Sequence, residues 1–166
     1  LLKKKHFRLI GMNLKLMLNL RGMEPTSVNF TSIHPVEPQT ILVATAMGLY
    51  KSRDGGIGFD HIFPGRSLKE RHCNIVRYHP TDPNIVYLGT DQGFMISTDG
   101  GDKFARPTGT QLSTARTKWI EIAPSDPKVI YAGTTIGAFR SMDGGRTWRW
   151  IFYETLNTQN YVISIS

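Results

Sequence analysis

Only one cysteine, Cys73, occurs in 166 residues. A lone thiol excludes an internal disulfide framework and any cysteine-based metal cluster, which leaves a small buried hydrophobe as its ordinary role. Long apolar runs are missing as well. The Leu- and Met-rich stretch that follows Lys3, Lys4 and Lys5 is broken by Arg8, Asn13, Lys15 and Asn19. It falls short of the run of about 18 apolar residues that a membrane span needs, and no small-x-small cleavage site follows it to make a secretory leader. The first residue is Leu, not Met, so the sequence reads as processed, trimmed or part of something longer.

Acidic residues are scarce at one end only. Residues 1–23 hold six of the 20 Lys and Arg residues and no Asp or Glu, so most of the formal charge of +7 is terminal and the remainder is close to neutral. That segment lacks aromatics interleaved with its cations beyond Phe7, which excludes a nucleic-acid-binding face of the usual kind. At 40% apolar residues the rest is rich enough to build a core.

Against these absences stands an internal repeat. His34–Phe59, His79–Phe104 and Ala123–Trp148 align without gaps at offsets of 45 and 44, and eight of their 26 columns are identical. The identical columns hold turn-formers and short polar residues. Proline pairs (Pro35 and Pro38, Pro80 and Pro83, Pro124 and Pro127) mark a turn between two strands. A β-branched and aromatic run follows in each copy (Thr40–Thr45, Ile85–Thr90, Val129–Thr134), ended by Gly48, Gly93 or Gly137. Next come a short strand (Leu49–Ser52, Phe94–Ser97, Ala138–Ser141), an Asp-Gly-Gly hairpin, and an outer strand through Phe59–Phe63, Lys103–Arg106 or Thr147–Phe152. A fourth strand precedes each proline pair: Val28–Ile33, Cys73–Tyr78 and Thr117–Ile122. Four strands at this period predict an all-β propeller and exclude helical repeats.

The predicted organisation is 1–25, the end of a preceding blade (strand Lys5–Ile10) with a basic connecting loop; blades at 26–63, 64–106 and 107–152; and 153–166, with Tyr161–Ser166 as the first strand of a further blade. About three and a half blades leave faces and edges open, so the expectation is an excerpt of a longer chain, a ring completed by two copies, or a partner on the open faces.

The hairpins carry Ser-x-Asp-x-Gly-x-Thr-Trp, complete in the third copy as Ser141, Asp143, Gly145, Thr147 and Trp148. The second keeps Ser97, Asp99 and Gly101, and the first Ser52, Asp54 and Gly56. A carboxylate there can accept main-chain N–H groups of its own turn, while the glycines supply positive φ, so these residues are expected to be structural. The pattern resembles the Asp-box, or BNR, repeat superfamily of propellers, which includes sialidases, xyloglucanase-type glycoside hydrolases, sortilin-type receptor ectodomains and photosystem II assembly factors. The resemblance implies Asp-boxes at the blade periphery, an extracytoplasmic or secreted setting, and no cofactor or metal.

Chemistry has little to stand on. The Arg-Ile-Pro segment that precedes the first Asp-box of sialidases is absent. Thr90-Asp91-Gln92-Gly93-Phe94 resembles the loop holding a catalytic Asp in the xyloglucanase family, which makes Asp91 a weak catalytic candidate, but its counterparts are Ala46 and Thr135 and no partner acid is evident. His34 and His79 share a repeat position with Ala123, which points to a turn and not to metal. Trp119 falls on an inner strand, where core packing is expected.

Binding has more. The loops joining one blade to the next, Gly11–Thr26, Pro64–His72 and Pro107–Arg116, differ between copies over a constant frame, and variable loops on a rigid scaffold carry recognition. They bring Arg21, Arg66, Lys69, Arg71 and Arg116, with Lys118 just after, to what would be one basic face. The expected function is therefore a non-enzymatic binding or assembly scaffold whose partner is an acidic protein surface or an anionic glycan, with self-association to complete a ring as a further mode. The alternative is a fragment of a glycoside hydrolase.

Overall fold

A computed structural model describes residues 26–153. The strands predicted at Lys5–Ile10 and Tyr161–Ser166, and the candidate Arg21, lie outside the described residues. Among the described residues eleven strands form three antiparallel sheets in chain order. The first sheet holds β1 (Val28–Ile33), β2 (Ile41–Thr45), β3 (Gly48–Ser52) and β4 (Asp60–Phe63). A short helix, α1 (Leu68–Arg71), leads into the second: β5 (Cys73–Tyr78), β6 (Val86–Thr90) and β7 (Gly93–Ser97). A 3-10 turn at Gln111–Ser113 leads into the third: β8 (Thr117–Ile122), β9 (Ile130–Thr134), β10 (Gly137–Ser141) and β11 (Arg149–Tyr153). Each sheet is a simple up-and-down meander, the pattern of a propeller blade.

Two expectations are corrected in detail. The outer strand predicted at Lys103–Arg106 shrinks to one bridge, with Ile96 N–H donating to Ala105 O at 2.8 Å and Ala105 N–H returning to Ile96 O at 2.9 Å. Arg106 turns away to make bonds elsewhere, and Pro107 has no N–H with which to extend the ladder. Gly48, Gly93 and Gly137 do not lie outside strands; each opens one, at φ of 128°, 122° and 126°. In every copy a buried threonine closes the turn before that glycine: the hydroxyls of Thr45, Thr90 and Thr134 donate to the carbonyls of Gly48, Gly93 and Gly137 and accept from Met47, Gln92 and Ile136 N–H.

The packing follows from a strand's two-residue period. Along β6, Val86 and Leu88 point into a core shared with the first sheet, where they meet Leu42, Ala44 and Leu49. Tyr87, between them, points the other way into a core shared with the third sheet, with Ile130, Ala132 and Phe139. In β7, Phe94 and Met95 divide in the same manner. All five residues of β6 are buried. The alternation that normally gives a strand one wet face here feeds two cores, which is why the middle strands read as continuous apolar runs.

The innermost strands β1, β5 and β8 are joined by side chains in place of a backbone ladder. Asn29 Nδ2 donates to Cys73 O at 2.8 Å and Asn74 Nδ2 to Thr117 O at 3.0 Å, so one repeat position bridges each sheet to the next. Cys73 is fully buried, and burial pushes its thiol well above the ordinary range, which fits its expected role as a core residue. Trp119 is only half-buried and stands edge-on to Phe30, with the Arg77 guanidinium 4.7 Å above the Phe30 ring.

Removing part of either core should weaken both sheets that share it. Leu88→Ala, at a site with no exposure, is expected to lower the unfolding free energy by about 2–5 kcal/mol. Ile33→Ala, at 63% exposure, should cost under about 0.5 kcal/mol. Equal losses in urea titrations of the two variants would contradict this packing.

Candidate functional site

The hairpin rim and the loop-bearing side of the sheets divide the polar chemistry between them. In the third hairpin Ser141 Oγ donates to Asp143 Oδ1 at 2.8 Å and accepts from Gly145 N–H at 2.8 Å. Asp143 accepts from the N–H groups of Arg146 and Thr147 at 3.0 and 2.9 Å and from the Thr147 hydroxyl at 2.6 Å. Trp148 closes over the turn and donates from Nε1 to Gly145 O at 2.9 Å. The same Ser–Asp clip recurs with Ser97 and Asp99 and with Ser52 and Asp54, both at 2.7 Å, and their hydroxyls accept from Gly101 and Gly56 N–H. Each hairpin is also tied to its sheet's proline turn, by Gly55, Gly100 and Gly144 N–H to Gln39, Asn84 and Lys128 O. All three carboxylates are committed to their own turns. At Asp143 partial desolvation pushes the carboxyl up, yet bonds from Thr147, Ser141 and Arg146 outweigh it and hold it at about 2. Asp54 and Asp99 are lowered chiefly by the N–H groups of Gly58 and Lys103 and then by their serines. His34 and His79 serve their turns: each Nδ1 accepts two backbone N–H groups, from Val36 and Glu37 and from Thr81 and Asp82.

On the opposite side, residues 64–72 and 107–116 meet the β6–β7 and β9–β10 turns through Asp91 N–H to His72 O and Thr135 N–H to Arg116 O, both at 3.0 Å. Lys69, Asp91, Gln111, Thr114, Arg116 and Ile136 line an open cleft of about 500 Å³ there. Asp91, the weak catalytic candidate, is 19% exposed and engaged through one oxygen: Arg116 Nε lies 2.6 Å and Asn74 Nδ2 2.9 Å from Oδ1, with His72 Nδ1 at 3.5 Å. Arg116 is thus one half of an ion pair and not a free loop cation. Among the described residues no second carboxylate lines the cleft.

Glu70 is turned inward and buried, although it lies on a four-residue helix among cations. It accepts from Arg66 N–H at 2.5 Å and from Arg106 Nη2 at 2.8 Å. Arg106 reaches on to the carbonyls of Gln92 and Ser113 and so staples both loops to the β6–β7 turn. Gly93 makes room for this, since a Cβ there would stand 2.2 Å from Ser113 O. With Glu70 inward, α1 presents Leu68 and Lys69 to solvent beside the exposed Arg66 of the preceding loop, with Leu68 at 78% exposure and Arg71 half-buried. Lys118 belongs elsewhere by position: it occupies the repeat place of Asn29 and Asn74, the side chains that bridge inner strands. Glu70, Asn74 and Arg106 escaped the sequence reading. The one available signal was Glu70, the single acid within two basic loops. Among the described residues no group of His, Cys, Asp and Glu is placed to hold a metal, and no helix is long and apolar enough to cross a membrane.

No protein-family model matches the chain, and no curated protein matches it in sequence. Solved structures do share its fold. An ancestral GH74 enzyme superposes with a TM-score of 0.68 at 22% identity, over 81% of this chain and 19% of that one. The GH74 xyloglucanase from Xanthomonas campestris gives 0.57 at 16% identity over 81% and 24%, and YCF48 bound to D1 peptide gives 0.54 at 17% over 76% and 40%. These superpositions define the fold, a partial β-propeller. The chain spans well under half the length of each of these relatives.

Because Asp143 is held at about 2 when folded and near 3.9 when unfolded, its contribution to stability is complete above pH about 4 and lost as pH falls through about 2. Asp143→Asn should therefore melt below the wild type at pH 7, with the gap closing between pH about 4 and about 2. A gap that stays constant down to pH 2 would show that the charge contributes nothing.

Proposed function

We propose that the chain is a non-enzymatic binding or assembly scaffold that recognises an acidic protein surface through its loop-bearing face. One observation carries the reading: Arg66, just before α1, and Lys69 on it are exposed around an exposed Leu68, while the single acid of that helix is buried in a bond to Arg106. Turning Glu70 inward removes the charge that would neutralise its neighbours. Cations around an exposed leucine suit a protein with acidic residues and an apolar spot better than a glycan, which offers no such spot. The staple by Arg106 keeps the surface preorganised, so less entropy is lost on binding. YCF48, which shares the fold, was solved with a D1 peptide bound, and that supports a peptide or protein as the kind of partner.

A glycoside hydrolase fragment is the second reading. It is favoured by the likeness to GH74 enzymes and by Asp91 in the cleft. The Asp91–Arg116 pair weighs against it, because that carboxylate is already bonded to a cation and, among the described residues, no second acid lines the cleft beside it.

The two readings separate cleanly. With an immobilised peptide of alternating Glu and Phe as probe, Arg66→Glu with Lys69→Glu should weaken binding about tenfold, at about 0.5–1 kcal/mol per rim charge. Leu68→Ser should weaken it further without changing its salt dependence. Unaltered binding in all three substitutions would remove the proposal, and release of reducing ends from xyloglucan, lost in Asp91→Asn, would install the hydrolase in its place.

A further inference from the structure

At the base of each outer strand one residue stands directly opposite a residue of β3, β7 or β10, and an opposed pair shares a face of its sheet. The pair is Lys51 with Asp60 in the first sheet, Ile96 with Ala105 in the second and Arg140 with Arg149 in the third. Two sheets therefore carry charged pairs there, and the second carries an aliphatic side chain beside a methyl group. The difference continues along the chain. Just after that pair stand Ile62 and Phe63 in the first copy and Ile151 and Phe152 in the third, whereas the second has Pro107 and Thr108. The second sheet thus lacks both the charged base and the Ile-Phe end of its sisters, and its outer strand stops after a single bridge.

What this leaves is an open groove of about 510 Å³ between the edge of the second sheet and the third hairpin, with Ile96, Phe104, Ala105 and Pro107 along it and Lys103 and Arg146 among its walls. It is not a fault in the core beneath. At the first junction between sheets the outer strand supplies the seal. Ile62 Cδ1 lies 3.5 Å from where a Cβ on Gly101 would stand, and Phe63 meets Phe104 edge-on with ring centroids 5.4 Å apart. At the second junction β7 supplies it. Ile96 Cδ1 lies 3.0 Å from the same place on Gly145, and Phe94 meets Trp148 edge-on at 4.8 Å. The sealing side chains have moved one strand inward, so the core is closed without the outer residues and the groove outside it is free to be filled and emptied. The charge left on its rim is positive. Lys103 and Arg146 are exposed, while Asp99, the acid among the lining residues, is spent on the Ser97 hydroxyl and the Lys103 N–H of its own turn.

We propose that this groove binds an extended acidic segment of a partner protein, which lays an Ile-Phe type pair over Ile96 and Ala105 and sets its acids against Lys103 and Arg146. The sister sheets show what suits the place, since both carry Ile-Phe where the second sheet has Pro107 and Thr108. The rim supplies the second half of the recognition: cations on both walls select acids flanking the apolar pair. An anionic polymer without apolar side chains would satisfy the rim and leave the floor wet. The segment is extended because the space is that of a strand. None of Arg66, Leu68 and Lys69 takes part, so the groove stands or falls apart from the loop-face binding proposed above.

A labelled peptide, Glu-Glu-Ile-Phe-Glu-Glu with blocked ends, titrated with the full chain and followed by fluorescence anisotropy, tests this. Saturable binding is expected, and replacing its Ile-Phe by Ser-Ser should weaken it at least about tenfold. Lys103→Glu with Arg146→Glu should weaken it about tenfold, at about 0.5–1 kcal/mol per rim charge. Ala105→Arg puts in the groove the residue that the third sheet has at that place, and should abolish binding although it adds a positive charge. All three positions are exposed, so the fold is expected to survive, with unchanged thermal unfolding as the control. Tighter binding in Ala105→Arg would mean attraction by charge alone and would overturn the proposal. Absence of saturable binding to the wild type would do the same. A loss caused by Arg66→Glu with Lys69→Glu would assign the peptide to the loop face instead, again overturning it. Self-association abolished by Ala105→Arg, with no peptide bound, would make a second copy the occupant in place of a partner.

Discussion

The serine hydroxyl inside each Asp-box turn is the interaction on which the rest of the molecule depends. In one position it donates to the aspartate and accepts the N–H of the second glycine, so a four-residue turn with two left-handed glycines is fixed from within. Only a turn of fixed shape can offer its outer carbonyl to the sheet before it at a constant place. The donors that use that carbonyl, Lys51 and Tyr87, come from different strands, yet they arrive at equivalent glycines. Packing between sheets, and with it both cores, follows from that registration. The aspartate adds a second layer by collecting the following N–H groups, which is why these acids are lowered although they lie near solvent.

The opposite side obeys a different logic. There the turns are closed by Thr45, Thr90 and Thr134, again from within, and the connecting segments are free to vary in length and composition. What gives those segments shape is ion pairing over long separations in the chain. Glu70 with Arg106, and Asp91 with Arg116, each take one charge of either sign out of the pool available to a partner. The basic character that remains is narrower than a tally of cations implies, and it includes the exposed Arg66 and Lys69 on either side of Leu68. A rigid hairpin rim thus supports a loop side whose surface is set by a few buried acids.

Much of the fold was legible because its determinants are local. The strands Val28–Ile33, Cys73–Tyr78 and Thr117–Ile122 fall where the proline turns that follow them require. The outer strand expected at Lys103–Arg106 failed because Arg106 is drawn to Glu70, 36 residues away, and no local pattern reports such a pull. The basic loop residues illustrate the same limit. Arg66 and Lys69 are exposed as their composition implies, whereas Arg116 is paired and Lys118 stands in line with the bridging asparagines Asn29 and Asn74. Charge in a sequence counts ions, and only a structure says which of them already have partners.

By itself the sequence determined the repeat, the order of its strands and the place of the acid turns between them. Turn chemistry is written in residues two to four positions apart, and a strand's face is written in its alternation. Tertiary structure decided which sheet face meets which core and which acids are spent on arginines. These depend on contacts between residues some 20 to 60 positions apart, such as Arg116 with Asp91 and Tyr87 with Gly144, whose energies arise only once the chain has excluded water from between them.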